Sequence, residues 1–306
     1  MRKKHYFLLC MIIVVSIYLV ACKANKKPEI QSEEKIKVEE SIKDLEKDSF
    51  DMPEVSSRVY RLPWENDEDF KKSIKENNTD VLIAAFCSVL KDPLPGEEYN
   101  VKLAAKSVKG LKIKADDIFS QNKTVGPYDD RKGYKEGASY SGSEIVTTLG
   151  GGVCKLATTL YNVAVISNLD IVERYNHTMP VSYVPYGQDA TVSYGNKDLK
   201  FKNNTKDPIL IWSKMIDNRL YVGFYGKKSA NKAEWHHEIL ERRKTNTKYS
   251  SNSELNKGEE RTIIKGMDGA LVKSWVTIED ENGNMKKKDL GESSYWPMPT
   301  VIETNK

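Results

Sequence analysis

The chain is poor in the residues that bound-ion and redox chemistry require, with 4 cysteines and 4 histidines in 306 residues and none set at metal-ligand spacing. A structural zinc site needs four such side chains at short intervals, so neither a metal nor another cofactor is expected. There is no glycine-rich phosphate loop of the nucleotide-binding kind and no internal repeat. Lysine and arginine (48) nearly balance aspartate and glutamate (44), a net charge of +4, and no basic cluster is interleaved with aromatic residues. That pattern argues against nucleic acid as a partner.

What is present begins with a targeting pattern. Met1-Arg2-Lys3-Lys4-His5 is a basic start, and Tyr6 to Val20 is an apolar stretch too short for a comfortable membrane span. It ends in Leu19-Val20-Ala21-Cys22, which resembles the lipobox of bacterial lipoproteins, with Cys22 as the lipidated residue. An uncleaved signal anchor is the alternative, and either places the remainder outside the cytoplasmic membrane, on its outer face. Residues 23–58 are rich in charge of both signs and poor in apolar side chains, the composition of a tether rather than of a core. The expected organisation is a signal over 1–22, this tether, a main domain over 59–228, and a linker with a small β module over 229–306.

Cleavage and lipidation would leave Cys87 and Cys154 as the remaining thiols, open to pairing as a disulfide. Cys87 lies in the apolar run from Val81 to Leu90 and reads as core. Cys154 follows Gly150-Gly151-Gly152-Val153 and opens an apolar helical pattern over residues 153–167. In a helix's first turn, unpaired N–H groups and the helix dipole stabilise an anion, which favours the thiolate. A base for that thiol is expected in His177. The helix carries the chain roughly 20 Å away, and an extended Ile171 to Asn176 returns it by about 20 Å. Cysteine paired with histidine is the arrangement of an activated nucleophile. A merely buried cysteine is the bland alternative.

Elsewhere Asn100 to Val108 has helical spacing, Leu111 to Lys114 alternates as a short strand, and residues 116–142 read as a long loop. Val181 to Val184 and Ala190 to Tyr194 suggest a hairpin, and Ile209 to Trp212 pairs naturally with Leu220 to Phe224. His236-His237 reads as solvated surface. The expected class is α+β, an antiparallel sheet with the cysteine-bearing helix packed against it and a small C-terminal β module.

Ordered stretches from Val81 to Gly226 resemble the VanW domain family. They include Asn100-Val101-Lys102-Leu103-Ala104-Ala105-Lys106, Val125-Gly126-Pro127, Gly150 to Asn162, Ile171-Val172-Glu173-Arg174, His177 with Pro180 to Pro185, and Gly187 to Val192. The tail from about Glu260 to Val301 looks like the glycine-punctuated β module that often follows such domains. The resemblance implies a peptidoglycan L,D-transpeptidase, as some clostridial members are, with Cys154 as nucleophile, His177 as base and Asp189 as the carboxylate orienting it. Asp198 competes for that last role, because a regular hairpin would leave Asp189 at its far turn. Gly151, Gly152 and Lys155 are expected around the substrate carbonyl, and Arg174 is expected either on a stem-peptide carboxylate or in an ion pair with Glu173 or Asp170. Lys155 and Ala157 depart from the family, where glutamine and serine are common. The implied partners are peptidoglycan stem peptides and, through the N-terminal lipid, the membrane. A non-catalytic wall-binding or glycopeptide-resistance accessory lipoprotein and a thiol L,D-carboxypeptidase are the alternatives.

Overall fold

A continuous apolar strand such as Val81 to Val89 must be covered on both faces, and the fold is arranged around that requirement. The computed structural model describes residues 52–306 apart from 92, 94, 142, 143, 229–231 and 281. The expected signal, Cys22 and most of the tether lie outside the described residues. Among those described, no helix is long and apolar enough to cross a membrane.

In chain order the first elements are β1 (Ser57–Arg58), α1 (Glu68–Asn77), β2 (Val81–Val89), α2 (Glu97–Val108) and β3 (Leu111–Ile113). Then come β4 (Ile118–Ser120), α3 (Gln121–Thr124), β5 (Glu136–Ser141), β6 (Glu144–Leu149), α4 (Cys154–Ile166), β7 (Asp170–Glu173) and β8 (Lys200–Lys202). The hairpin β9 (Ile209–Ile216) and β10 (Arg219–Gly226) closes the central sheet, whose order is β1-β2-β10-β9-β3 with every pairing antiparallel. Ala84, Phe86, Leu220, Val222 and Phe224 point to the face covered by α2 and α4. Ala85, Cys87, Val89, Tyr221 and Trp212 point to the other, where Phe70 of α1 and Trp64 cover them. Alternation along each strand thus serves two cores rather than one core and solvent. Ser57 and Arg58, expected in the tether, pair with Cys87 and Phe86 as an edge strand.

The C-terminal residues form β11 (Lys232–Arg243), β12 (Thr247–Ser251), β13 (Glu260–Ile264), β14 (Gly269–Glu279), β15 (Met285–Tyr295) and β16 (Thr300–Thr304). They make two three-stranded sheets, β11-β14-β15 and β12-β16-β13, the second containing a parallel pair. Val276 and Ile278 join the same core as α4, and Trp235 meets the Tyr161 ring edge-on at 5.6 Å. The described residues consequently form one compact unit. The class is α+β, built mainly on antiparallel sheets.

Three local expectations fail. Residues 116–142 are not a single loop: Ser120 accepts from the Lys123 N–H as N-cap of α3, and Glu136 to Ser141 pair with Glu144 to Leu149. The expected hairpin between 181 and 194 does not form. Short bridges Tyr175↔Thr191 and Ser193↔Lys197 take its place, and the chain between them folds back irregularly. His236 is not free surface either; on β11 it stacks on Trp275 and meets Thr277 Oγ1 at 2.7 Å.

Candidate active site

The glycine run before α4 is dictated by close approach. Gly152 has φ 102°, and a Cβ there would stand 2.6 Å from Glu97 Cγ and 3.1 Å from the Glu97 carbonyl oxygen. Only glycine fits both the backbone angle and the space. The buried amide of Asn100, on α2, donates to the Gly151 and Lys135 carbonyls and accepts the Lys135 N–H, fixing the run in place. Helix α4 then begins at Cys154, with the thiol half-buried.

Cys154, Thr158 and Asn162 recur every four residues and so share one stripe of α4. Thr158 Oγ1 donates to the Ala190 carbonyl and accepts the Ala190 N–H, and Asn162 Nδ2 donates to the Gln188 carbonyl. Those bonds hold residues 188–192 along the helix, which carries Thr191 Oγ1 to 3.4 Å from the Cys154 sulfur and the Val192 N–H to 3.5 Å. They also carry Asp189 to His177. Its Oδ2 meets His177 Nδ1 at 2.6 Å and accepts the His177 N–H at 2.7 Å. With Nδ1 so engaged, Nε2 is the ring nitrogen left for the Cys154 sulfur, and the two side chains border the same cavity and interact electrostatically. Asp198 is not the partner of His177: it accepts from Ser120 Oγ and the Asn122 N–H.

Burial pushes the Cys154 thiol up, but the hydrogen bond and charge of His177, with Thr191 and Val192, outweigh it and hold the thiol below its ordinary value. Burial likewise pulls His177 down, and the Asp189 hydrogen bond together with Cys154 lifts it to about 9. Asp189 would be raised by burial, yet His177 and Arg174 keep it low. The arrangement favours the thiolate and the imidazolium over their neutral forms, with the imidazole oriented by a buried carboxylate. Cys87, by contrast, is a fully buried free thiol on the other core, pushed up to about 12 by burial. No disulfide joins the two cysteines.

Cys154 and His177 line a cavity of about 760 Å³, bordered by Gly151, Gly152, Tyr128, Tyr183 and Lys155 among others. That volume suits a peptide-sized ligand. Lys155 pairs with Glu97 and lies over the Tyr183 ring at 5.1 Å, and burial brings its ammonium down to about 8. The N–H groups of Val153 and Lys155, expected to face a substrate carbonyl, are spent on the Gly150 and Gly152 carbonyls. Arg174, expected on a stem-peptide carboxylate or in an ion pair with Glu173 or Asp170, instead lies off the cavity and is turned inward, bonded to Asp189 Oδ1 at 3.0 Å, to the Asp189 and Gly187 carbonyls and to Ser293 Oγ. Glu173 pairs with Lys200 and Asp170 with Lys288 instead.

Residues that sequence reasoning missed are Thr158, Asn162, Thr191, Tyr183 and, from β15, Tyr295, whose hydroxyl donates to Asp189 Oδ1 at 2.6 Å. The four-residue polar stripe on an apolar helix was a usable signal for the first two. Nothing local signals Tyr295.

The family model described as VanW like protein matches residues 96–225, the stretch that contains the glycine run, Cys154, His177 and Asp189. An uncharacterized protein of Bacillus subtilis, YoaR, is 37% identical over 133 residues, covering 44% of each chain. Vancomycin B-type resistance protein VanW of Enterococcus faecalis is 35% identical over 127 residues, covering 40% of this chain and 46% of its own. The chain thus spans under half the length of these curated relatives. A solved IgA1 protease G5 domain aligns over 24% of this chain and 90% of its own at 16% identity, with a TM-score of 0.17, too low to carry an argument. The match to the VanW-like protein family thus runs over residues 96–225, where the glycine run, the cysteine helix and the histidine loop all lie.

Proposed function

We propose that the protein is a peptidoglycan L,D-transpeptidase working through a Cys154 thioester, held on the outer face of the cytoplasmic membrane by lipid on Cys22. The observation that carries this reading is the Cys154 sulfur and the His177 imidazole on the wall of one cavity, with the buried Asp189 carboxylate bonded to the imidazole behind them. Cys154 thiolate attacks the carbonyl joining the L-centre of diaminopimelate to the terminal D-alanine of a tetrapeptide stem. The carbonyl oxygen becomes an oxyanion, for which the N–H groups of Gly152 and Cys154 are the candidate donors; a good donor is worth about 3 to 4 kcal/mol. The C–N bond breaks, and the leaving D-alanine amine takes its proton from the His177 imidazolium. The side-chain amine of a second stem then attacks the thioester, gives a proton to His177, and leaves a 3-3 cross-link with the thiolate restored.

Lys155 stands where the family commonly has glutamine. Its ion pair with Glu97 and its place over Tyr183 make that substitution a wall of the cavity rather than a loss of the nucleophile's surroundings. The test is incubation of the protein freed of residues 1–22 with defined tetrapeptide muropeptides, followed by mass spectrometry of the products. Dimers lacking one D-alanine, absent with Cys154→Ala, are expected. Shortened monomers without dimers would favour a carboxypeptidase, and an unchanged digest with retained binding would favour a passive wall-binding module.

A further inference from the structure

The buried carboxylate at the back of the site is held by two segments far apart in sequence. Asp189 is 1% exposed and takes two donors on each oxygen: His177 Nδ1 and N–H on Oδ2, Tyr295 hydroxyl and Arg174 Nη2 on Oδ1. The Tyr295 hydroxyl in turn accepts the Gly187 N–H at 2.8 Å. Its position is set within the C-terminal module, where the ring packs on Tyr186 at 5.3 Å and clusters with Ala270 and Val272. The same strand end ties down both flanks of His177. The Trp296 N–H donates to the Thr178 carbonyl at 2.8 Å, Asn176 Nδ2 donates to the Ser294 carbonyl at 2.9 Å, and Arg174 Nη1 donates to Ser293 Oγ at 2.7 Å.

We propose that Tyr295 is a positioning residue of the catalytic centre: by holding one oxygen of Asp189 it keeps the other on His177, so that the C-terminal β module completes a site otherwise built from the family-matched region. This rests on the activated-thiol reading above. A carboxylate bonded on both oxygens cannot rotate without breaking bonds in a buried place, where an unmet group is costly. Remove the hydroxyl and Asp189 loses a donor, Gly187 is left unpaired, and the imidazole is freer to leave the sulfur. The titratable groups facing this chain of bonds are Arg174, Tyr161, Tyr183, Tyr128 and Tyr295, and none of them but Tyr295 comes from the C-terminal module.

The experiment is the pH profile of Cys154 alkylation in the full chain, read at the Cys154 peptide by mass spectrometry so that other thiols do not interfere. Tyr295→Phe keeps the ring and removes only the hydroxyl. It should move the inflection up by about one pH unit and slow alkylation about tenfold on its acid side. Tyr186→Phe, which keeps the ring contact and loses a bond to Asp268 only, should leave the profile in place. Combined with Asp189→Asn, Tyr295→Phe should add nothing further, because it acts through that carboxylate. A Tyr295→Phe profile lying on that of the unmutated chain, an equal shift in Tyr186→Phe, or full additivity with Asp189→Asn each overturns the proposal. Should Tyr295→Phe not fold, NMR of the unmutated chain decides: the Tyr295 hydroxyl proton should move on alkylation of Cys154, and its failure to move overturns the proposal. A shifted profile in a protein that transfers no stem peptide supports the positioning role while overturning the transpeptidase reading.

Discussion

Two thiols in one chain show what surroundings do to the same side chain. Cys87 is driven by burial to about 12, whereas Cys154 meets an imidazole and a backbone N–H and is drawn below 9.0. His177 moves the opposite way, from 6.5 to about 9, because its charged form is what Asp189 and the thiolate favour. A group whose folded value is raised stabilises the fold fully below its ordinary value, near 6.5, and loses that contribution as pH rises through about 9. The lowered thiol contributes in the opposite sense, losing its share as pH falls. At neutral pH the native protein should therefore be alkylated at Cys154 and not at Cys87. His177→Ala removes the imidazolium and leaves burial unopposed. Its Cys154 reactivity should fall about 10- to 100-fold at pH 7, with the inflection moved above the ordinary thiol value. An unmoved profile would show that the histidine does not set the thiol's state.

At the scale of elements, the site depends on how α4 is started and on what lies along its polar stripe. Gly152 starts it, at a left-handed φ and where a Cβ would stand 2.6 Å from Glu97 Cγ. Gly195 provides the comparison, at φ 78° with nothing within 4 Å of the point where a methyl would stand. Gly195→Ala should cost about 1 kcal/mol through backbone strain alone, and Gly152→Ala about 2 to 3 kcal/mol, since overpacking adds to strain. Urea denaturation measures both, and equal costs would mean that the Glu97 contact yields freely. Cys154 and His177 are legible in the sequence because a helix outward and a strand back are both local patterns with known rise. Asp189 is reached only through the family resemblance and not through spacing, since its approach depends on irregular chain between Thr178 and Gln188 that the period-two pattern misreads as a hairpin. The bonds that replace the hairpin run to Thr158 and Asn162, on another element altogether.

At the scale of the whole molecule, the central sheet announces itself in the apolar runs of β2, β9 and β10, and its antiparallel hairpin in Asp217-Asn218. The docking of the C-terminal strands does not. Val276, Ile278 and Trp235 alternate like any half-buried strand, and nothing in that alternation says their partner is α4. Tyr295, 106 residues from Asp189, is beyond any spacing argument. The catalytic claim itself is tested most directly by intact-protein mass spectrometry after brief mixing with a tetrapeptide stem in the absence of an acceptor. The account predicts a covalent adduct on Cys154 with one D-alanine released, sensitive to hydroxylamine as a thioester is, and absent from Cys154→Ala. A protein that binds the stem and releases D-alanine with no such adduct, or whose adduct persists in Cys154→Ala, would contradict it.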